Sequence, residues 1–250
     1  MALTWANAVE IIRPYVVRIL TPTGSGTGFV LARGTTADFC VVATAAHVIE
    51  HAHSWLEPVR LDHTASSQHQ LLKSGDRAIF MDEKRDTAAL LFKPDKNLDV
   101  PQPALPMAPK DHHLRVGFEV GWIGFPAVSP TNLCFFGGRV SAFLESDSAY
   151  LIDGVSIHGV SGGPAFEVTA DANAPTIIGV VSAYIPNLST GQPLPGLAVV
   201  RDVTQFHELA DLFSSLDQAQ EKQSPPAPTP PPAEPSRQES ASAEPTGAGR

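Results

Sequence analysis

The chain has 250 residues, 43% of them hydrophobic and 17% charged, which is typical of globular proteins. A net charge of −9 argues against a nucleic-acid partner, and no stretch reaches the roughly 18 apolar residues of a membrane span. Cys40 and Cys134 are too few for a disulfide framework, and the N-terminus lacks the basic start and apolar run of a signal peptide. We therefore expect a cytoplasmic protein with no nucleic-acid or membrane partner.

Short strands separated by turn residues dominate the chain. Thr4 begins a short amphipathic helix that Pro14 ends or kinks. Apolar or alternating runs then recur, separated by Gly, Pro, Asn and Asp. The runs are Tyr15–Leu20, Thr27–Ala32, Phe39–Thr44, Arg77–Met81, Ala88–Phe92, Val120–Gly124, Gly138–Phe143, Tyr150–Ile152, Ala165–Val168, Ile177–Ala183 and Leu197–Val200. This pattern predicts an all-β fold of barrels or a sandwich.

The strand pattern is interrupted by a connector and is followed by a helix. Residues 99–113 are rich in proline and predict a connector between two β halves, about 15–98 and 114–202. Helical spacing after Val203 predicts a C-terminal helix over about 203–218. Residues 1–223 are thus expected to form one domain.

The segment 224–250 is different in kind, since it contains no large apolar residue. Such a composition cannot offset the entropy of ordering, so we expect a disordered, proline-rich tail. It serves either as a docking peptide for a partner or as a plain tether.

The sequence GVSGG at 159–163 fits G-x-S-x-G, the nucleophile elbow of α/β-hydrolases. That elbow needs a helix directly after the serine, whereas Gly162, Gly163 and Pro164 disfavour one. The elbow also needs an acid and then a histidine downstream of the serine. The only histidine after Ser161 is His207, and it lies within the predicted C-terminal helix. The α/β-hydrolase interpretation therefore fails.

A nucleophilic serine still needs a base and a carboxylate that orients the base. The run VVATAAHVI at 41–49 predicts a buried strand ending near His47, and Asp86 stands directly before the apolar TAALLF. Taken alone, His47 fits a core histidine and Asp86 a turn or cap residue. In the order His47, Asp86, Ser161 they predict a catalytic triad.

Three motifs, TAAHVI, DTAALLF and GVSGGPAF, resemble in that order the motifs of trypsin-like serine proteases. The HtrA-like bacterial branch is the most similar, because GSGTGFVL at 24–31 and IIGVVSAY at 177–184 also resemble its segments. The resemblance covers about residues 5–216. It implies two six-stranded antiparallel β-barrels with short N-terminal and C-terminal helices and a catalytic groove between them.

The resemblance also implies a role for each site residue. His47 is expected to act as general base, Asp86 to orient it, and Ser161 to attack as nucleophile. The backbone N–H groups of Gly159 and Ser161 would form the oxyanion hole. Such a site needs neither a metal nor a cofactor, and the remaining histidines are interpreted as surface residues.

Specificity follows from the same resemblance. Val155 takes the place of the acid that selects Lys or Arg, while Ser182, Ala183 and Tyr184 match the strand that pairs with substrate. Tyr184 stands where relatives with deep pockets have glycine. We therefore expect protein or peptide substrates with a small to medium aliphatic residue before the cut.

Two departures from the family affect regulation. Val160 replaces the aspartate that pairs with a new N-terminus after zymogen cleavage, so that activation route is not expected. The HtrA-like branch usually carries a PDZ domain after the protease, where this chain has only its proline-rich tail. Assembly is therefore not carried over, and the sequence leaves the oligomeric state open.

Two other functions share these residues. One is a catalytically silent peptide-binding module with the same fold, and the other is a serine esterase that uses the same triad.

Overall fold

The computed structural model describes residues 3–35, 38–96, 98–102, 104–169, 172–187 and 194–223. Its elements in chain order are α1 (Trp5–Ile12), β1 (Val16–Thr21), β2 (Gly24–Arg33), β3 (Cys40–Thr44), α2 (Ala46–Ser54), β4 (Val59–His63), β5 (Gln68–Leu72), β6 (Arg77–Asp82), β7 (Thr87–Phe92), β8 (Glu119–Gly124), β9 (Cys134–Leu144), β10 (Ala149–Asp153), β11 (Pro164–Glu167), β12 (Thr176–Asn187), β13 (Leu194–Asp202) and α3 (Thr204–Gln223). The predicted tail at 224–250 lies outside the described residues.

The N-terminal half is a seven-stranded antiparallel sheet in the order β5-β4-β1-β2-β3-β7-β6. Its inner face is built from β-branched and other aliphatic residues, which suit a pleated, buried surface. Val17, Ile19, Val42, Leu61 and Leu90 are all buried there.

The C-terminal half is a closed barrel of six strands in the order β10-β13-β12-β11-β8-β9. Closure leaves no sheet edge along this ring, although individual strands extend beyond their neighbours. Its core is aromatic and aliphatic, with Trp122, Tyr150 and Phe166 fully buried.

Helix α3 joins the two halves. It starts two residues after β13 of the barrel, and its Phe213 ring packs 5.7 Å from Phe39 and 5.6 Å from Phe80 in the N-terminal half. His207 on α3 donates from Nε2 to the carbonyl of Ala108 in the connector, at 2.7 Å. The helix thus contacts both the N-terminal sheet and the connector that leads to the barrel.

The all-β expectation and the six-stranded second barrel are confirmed. The first half differs from a six-stranded barrel, because it has seven strands and, in the described residues, its two end strands β5 and β6 do not pair with each other. Strands β4 and β5 were not predicted, and α3 is longer than the short helix expected. The described part of the chain has no helix with the length and apolar character that crossing a membrane requires.

Candidate active site

His47 lies on the first turn of α2, directly after the buried strand β3. Its Nδ1 is 2.9 Å from Asp86 Oδ2, and its backbone N–H donates to Asp86 Oδ1 at 2.9 Å. A single carboxylate therefore holds both the ring and the backbone of the histidine. The predicted strand end at His47 is corrected to a helix start, two residues beyond β3.

Asp86 occupies the turn between β6 and β7 with a left-handed φ of +50°. For a residue with a side chain this conformation costs about 1–2 kcal/mol. Its carboxylate also accepts a hydrogen bond from Ser182 Oγ at 2.6 Å, in addition to the two from His47. Three charge-assisted hydrogen bonds offset the strain of the turn.

The pKa values of the pair follow from these contacts. The hydrogen bond to Asp86 raises the pKa of His47 above its ordinary value, against the opposing effect of partial burial. Burial alone would raise the pKa of Asp86, but hydrogen bonds from His47 and Ser182 outweigh it and leave that pKa below its ordinary value. The carboxylate is therefore ionised, so Nδ1 carries the proton and Nε2 is the basic nitrogen.

Ser161 lies in the same cleft as His47 and Asp86, a cavity of about 700 Å³. It sits in a tight turn closed by hydrogen bonds from Val160 N to Ile157 O at 3.1 Å and from Gly163 N to Val160 O at 2.9 Å. Its hydroxyl donates to the carbonyl of Ser182 at 3.4 Å. The cleft thus brings together the three residues of the predicted triad.

Gly159 has a φ of +90°, and a Cβ there would lie 2.3 Å from the carbonyl oxygen of Phe125. The neighbouring carbonyl of His158 accepts from Ala127 N at 2.6 Å. Because a trans peptide directs its C=O and N–H to opposite sides, the Gly159 N–H points away from Ala127. Within the described residues, neither this N–H nor that of Ser161 donates a backbone hydrogen bond.

Thr27 on β2 is a site residue that the sequence did not reveal. Its buried hydroxyl donates to Gly159 O at 2.7 Å and accepts from Phe125 N at 3.0 Å. Its backbone N–H donates to Ser161 O at 2.8 Å. The only sequence signal for this role is a polar residue within the glycine-rich run 24–31.

The cleft wall contains some of the residues predicted to bind substrate. Ser182, Ala183 and Tyr184 line the cavity, together with Ala127, Val128, Ser156, Ile157, His158 and Pro186. Val155 does not line it, and its side chain is 47% exposed. Its neighbour Ser156, which is buried, occupies the wall instead.

Ser182 also does more than the sequence suggested. It was predicted only as part of the strand that pairs with substrate, yet its hydroxyl binds Asp86. This role of Ser182 can be recognised only from the tertiary structure, because Ser182 and Asp86 are 96 positions apart in sequence.

Residues 26–172, which include His47, Asp86 and Ser161, match the family model of the trypsin-like peptidase domain. The chain belongs to this family. The peptidase is accordingly a serine endopeptidase, and the predicted resemblance is confirmed. No curated protein is significantly similar to the peptidase in sequence.

Solved structures agree on the fold. The serine endoprotease from Yersinia pestis superposes with a TM-score of 0.61 at 17% identity, covering 87% of the peptidase and 68% of that chain. Deg5 gives a TM-score of 0.59 at 21% identity, with 81% and 90% covered. An inactive serine-to-alanine mutant of Rv3671c from M. tuberculosis H37Rv gives 0.54 at 20% identity, with 85% and 91% covered.

Proposed function

We propose that the peptidase hydrolyses peptide bonds of protein substrates through His47, Asp86 and Ser161, by way of an acyl-enzyme. The observation that carries the proposal is the His47–Asp86 pair in one cleft with the Ser161 hydroxyl. The ionised carboxylate of Asp86 holds His47 in the tautomer in which Nε2 can accept a proton.

Each step has a residue of this chain to perform it. Ser161 Oγ attacks the substrate carbonyl carbon while Nε2 of His47 takes the hydroxyl proton, and Asp86 stabilises the resulting imidazolium. The negative charge that develops on the carbonyl oxygen is bound by the N–H groups of Gly159 and Ser161. The imidazolium then protonates the leaving amine as the C–N bond breaks.

The acyl-enzyme that remains is hydrolysed by the same groups in reverse. His47 removes a proton from a water molecule, the hydroxide attacks the ester carbon, and Ser161 leaves with the proton from His47. The products are a new carboxyl end and a new amino end of the substrate.

The cleft favours an extended, uncharged substrate. Along one edge of β12, β11 pairs only as far as Val180, and Val181 is hydrogen-bonded to Gly162 and Gly163. A substrate strand can therefore pair with the same edge of β12 beyond Val181, at Ser182 and Ala183. The wall is largely apolar, and the one carboxylate among its described residues, Asp86, is already held by His47 and Ser182. A small to medium aliphatic residue before the cut fits this wall, and a Lys or Arg would find no free counter-charge among the lining residues that the structure describes.

A fluorophosphonate probe tests the nucleophile. We expect covalent labelling of the wild type at Ser161 and none of Ser161→Ala, while Ser215→Ala on α3 is labelled like the wild type. A folded but unlabelled wild type would instead indicate a silent binding module. Labelling together with hydrolysis of esters but not of peptides would favour the esterase.

A further inference from the structure

Residue Thr87, directly after Asp86, is bound to the C-terminal helix. Thr87 begins β7 and is 3% exposed, and its Oγ1 donates a hydrogen bond to Oε1 of Gln205 in the first turn of α3. The two residues are 118 positions apart in sequence. Neither has a part in the chemical steps described above.

The first turn of α3 is itself well anchored. The buried Asp202 accepts from Thr204 N at 3.1 Å, which caps the start of the helix. Phe206, next to Gln205, is 1% exposed, and the following residue, His207, binds the helix to the connector. Gln205 is therefore held at a defined position by groups on either side of it.

The turn that carries Asp86 is held by hydrogen bonds, three of which reach the Asp86 carboxylate from His47 and Ser182. It combines a left-handed residue with hydrogen bonds inside the turn, from Asp86 N to Glu83 O at 3.3 Å and from Arg85 N to Asp82 Oδ1 at 3.0 Å. A cavity of about 320 Å³ lies between this turn and α3, with Arg85 and Thr87 on one side and Gln205 and Glu208 on the other. Because the space is not filled by side chains, packing alone does not fix the turn.

We infer that Gln205 is a positioning residue for the proposed catalytic pair: through Thr87 it holds the Asp86 turn so that the carboxylate faces His47. The inference rests on the proposed function, since it assigns to Asp86 the task of orienting the base. Loss of the contact allows the turn to move into the adjoining cavity, which displaces the carboxylate from Nδ1 of His47.

Kinetics of Gln205→Leu and Thr87→Val, each close to the native shape but without the hydrogen bond, test the inference. We expect kcat to fall about tenfold or more in each, because a displacement of about 1 Å in a catalytic geometry can cost about 100-fold. KM changes little, since neither residue lines the cleft. The double variant loses no more than the worse single variant, because both remove the same contact.

The pH profile separates positioning from a merely structural role. The acid limb of kcat/KM reports the protonation of His47, whose pKa is raised by the hydrogen bond to Asp86 and, more weakly, by the charges of Asp86 and Glu50. A displaced Asp86 lowers that pKa, so the acid limb moves to lower pH in Gln205→Leu. Simple loss of folded protein reduces the rate at every pH and leaves the limb in place.

Two controls complete the design. His207→Leu removes a different hydrogen bond of α3 and is expected to lower the Tm without changing kcat or the acid limb. Gln205→Glu keeps an acceptor oxygen for Thr87 and is expected to retain most of kcat. If Gln205→Leu has the kcat and the acid limb of the wild type, the inference is wrong but the proposed function stands. The same holds if His207→Leu loses as much kcat as Gln205→Leu. Failure of the wild type to cleave or to be labelled would overturn the proposed function instead.

Discussion

At the scale of single residues, the charge balance of the site depends on Asp86. In the proposed mechanism His47 must be neutral at Nε2 to accept a proton, so activity is expected to fall as the pH drops through the pKa of His47. Since Asp86 holds that pKa above the ordinary value, the wild type loses activity at a higher pH than an unpaired histidine would. Asp86 stays ionised throughout this range because its own pKa is lowered.

Replacing Asp86 by Asn tests this balance. We expect kcat to fall by about 10⁴, because the amide favours the wrong tautomer of the base. The acid limb of kcat/KM should also shift to lower pH, since the main cause of the raised pKa of His47 is gone. An unchanged acid limb in Asp86→Asn would mean that another group governs the base.

Alanine substitutions at Gly159 and, as a control, at Gly117 test the proposed oxyanion hole. Their φ angles are +90° and +91°, but a Cβ at Gly159 meets the Phe125 carbonyl at 2.3 Å, whereas Gly117 has nothing within 4 Å. Both alanine variants pay the backbone cost of about 1–2 kcal/mol, visible as a lower Tm. Only Gly159→Ala should also lose about 10²- to 10³-fold in kcat, as for a lost oxyanion donor. Equal kcat values in the two variants would contradict this role.

The triad prediction rests on firmer sequence grounds than the pocket prediction. His47, Asp86 and Ser161 could be named because few residue types perform this chemistry and their order is restrictive. Val155 was placed by counting six positions back from Ser161, which assumes a relative's loop geometry. Here Val155 is 47% exposed and does not line the cleft, whereas Ser156 does.

At the scale of elements, β2 binds the turn that carries Ser161 through the hydroxyl and the backbone N–H of Thr27, beside the hydrogen bonds that this turn makes to Val181 and Ala127. Thr27→Val leaves the Phe125 N–H and the Gly159 carbonyl without their buried partner, each at a cost of about 1–3 kcal/mol. We expect a clearly lower Tm and a lower kcat, because the turn that carries Ser161 loosens. Thr27→Ser retains the hydroxyl and should keep both values near those of the wild type. Wild-type kcat in Thr27→Val would show that β2 does not order the turn.

Elements with a strong apolar signal were predicted, and those without one were missed. β4 alternates buried and exposed residues, but Arg60 and Asp62 on its outer face interrupt the apolar pattern. α2 starts at Ala46, and its N-cap residue Ala45 provides no side-chain hydrogen bond, so nothing marks the beginning of the helix in sequence. The apolar run 41–49 is shared between a strand and a helix, a division that periodicity alone cannot locate.

At the scale of the whole molecule, the site exists only because sheet and barrel meet. α2 and the β6–β7 turn supply His47 and Asp86 from the sheet, while the barrel supplies Ser161 and Ser182. Val160, directly before Ser161 in the same turn, is fully buried. An apolar side chain therefore stands where the resemblance places the aspartate of zymogen-type relatives. Control of activity is therefore better sought in the contacts between the halves, such as Thr87–Gln205, than at a cleaved N-terminus.

Digestion of a denatured protein mixture, with the cut sites read by mass spectrometry, tests the central claim most directly. The wild type is predicted to generate new ends, mostly after small or medium aliphatic residues and rarely after Lys or Arg. Ser161→Ala, shown to be folded by an unchanged Tm, is predicted to generate none. New ends in equal number from both proteins, or from neither, would contradict the assignment of Ser161 as the nucleophile of an endopeptidase.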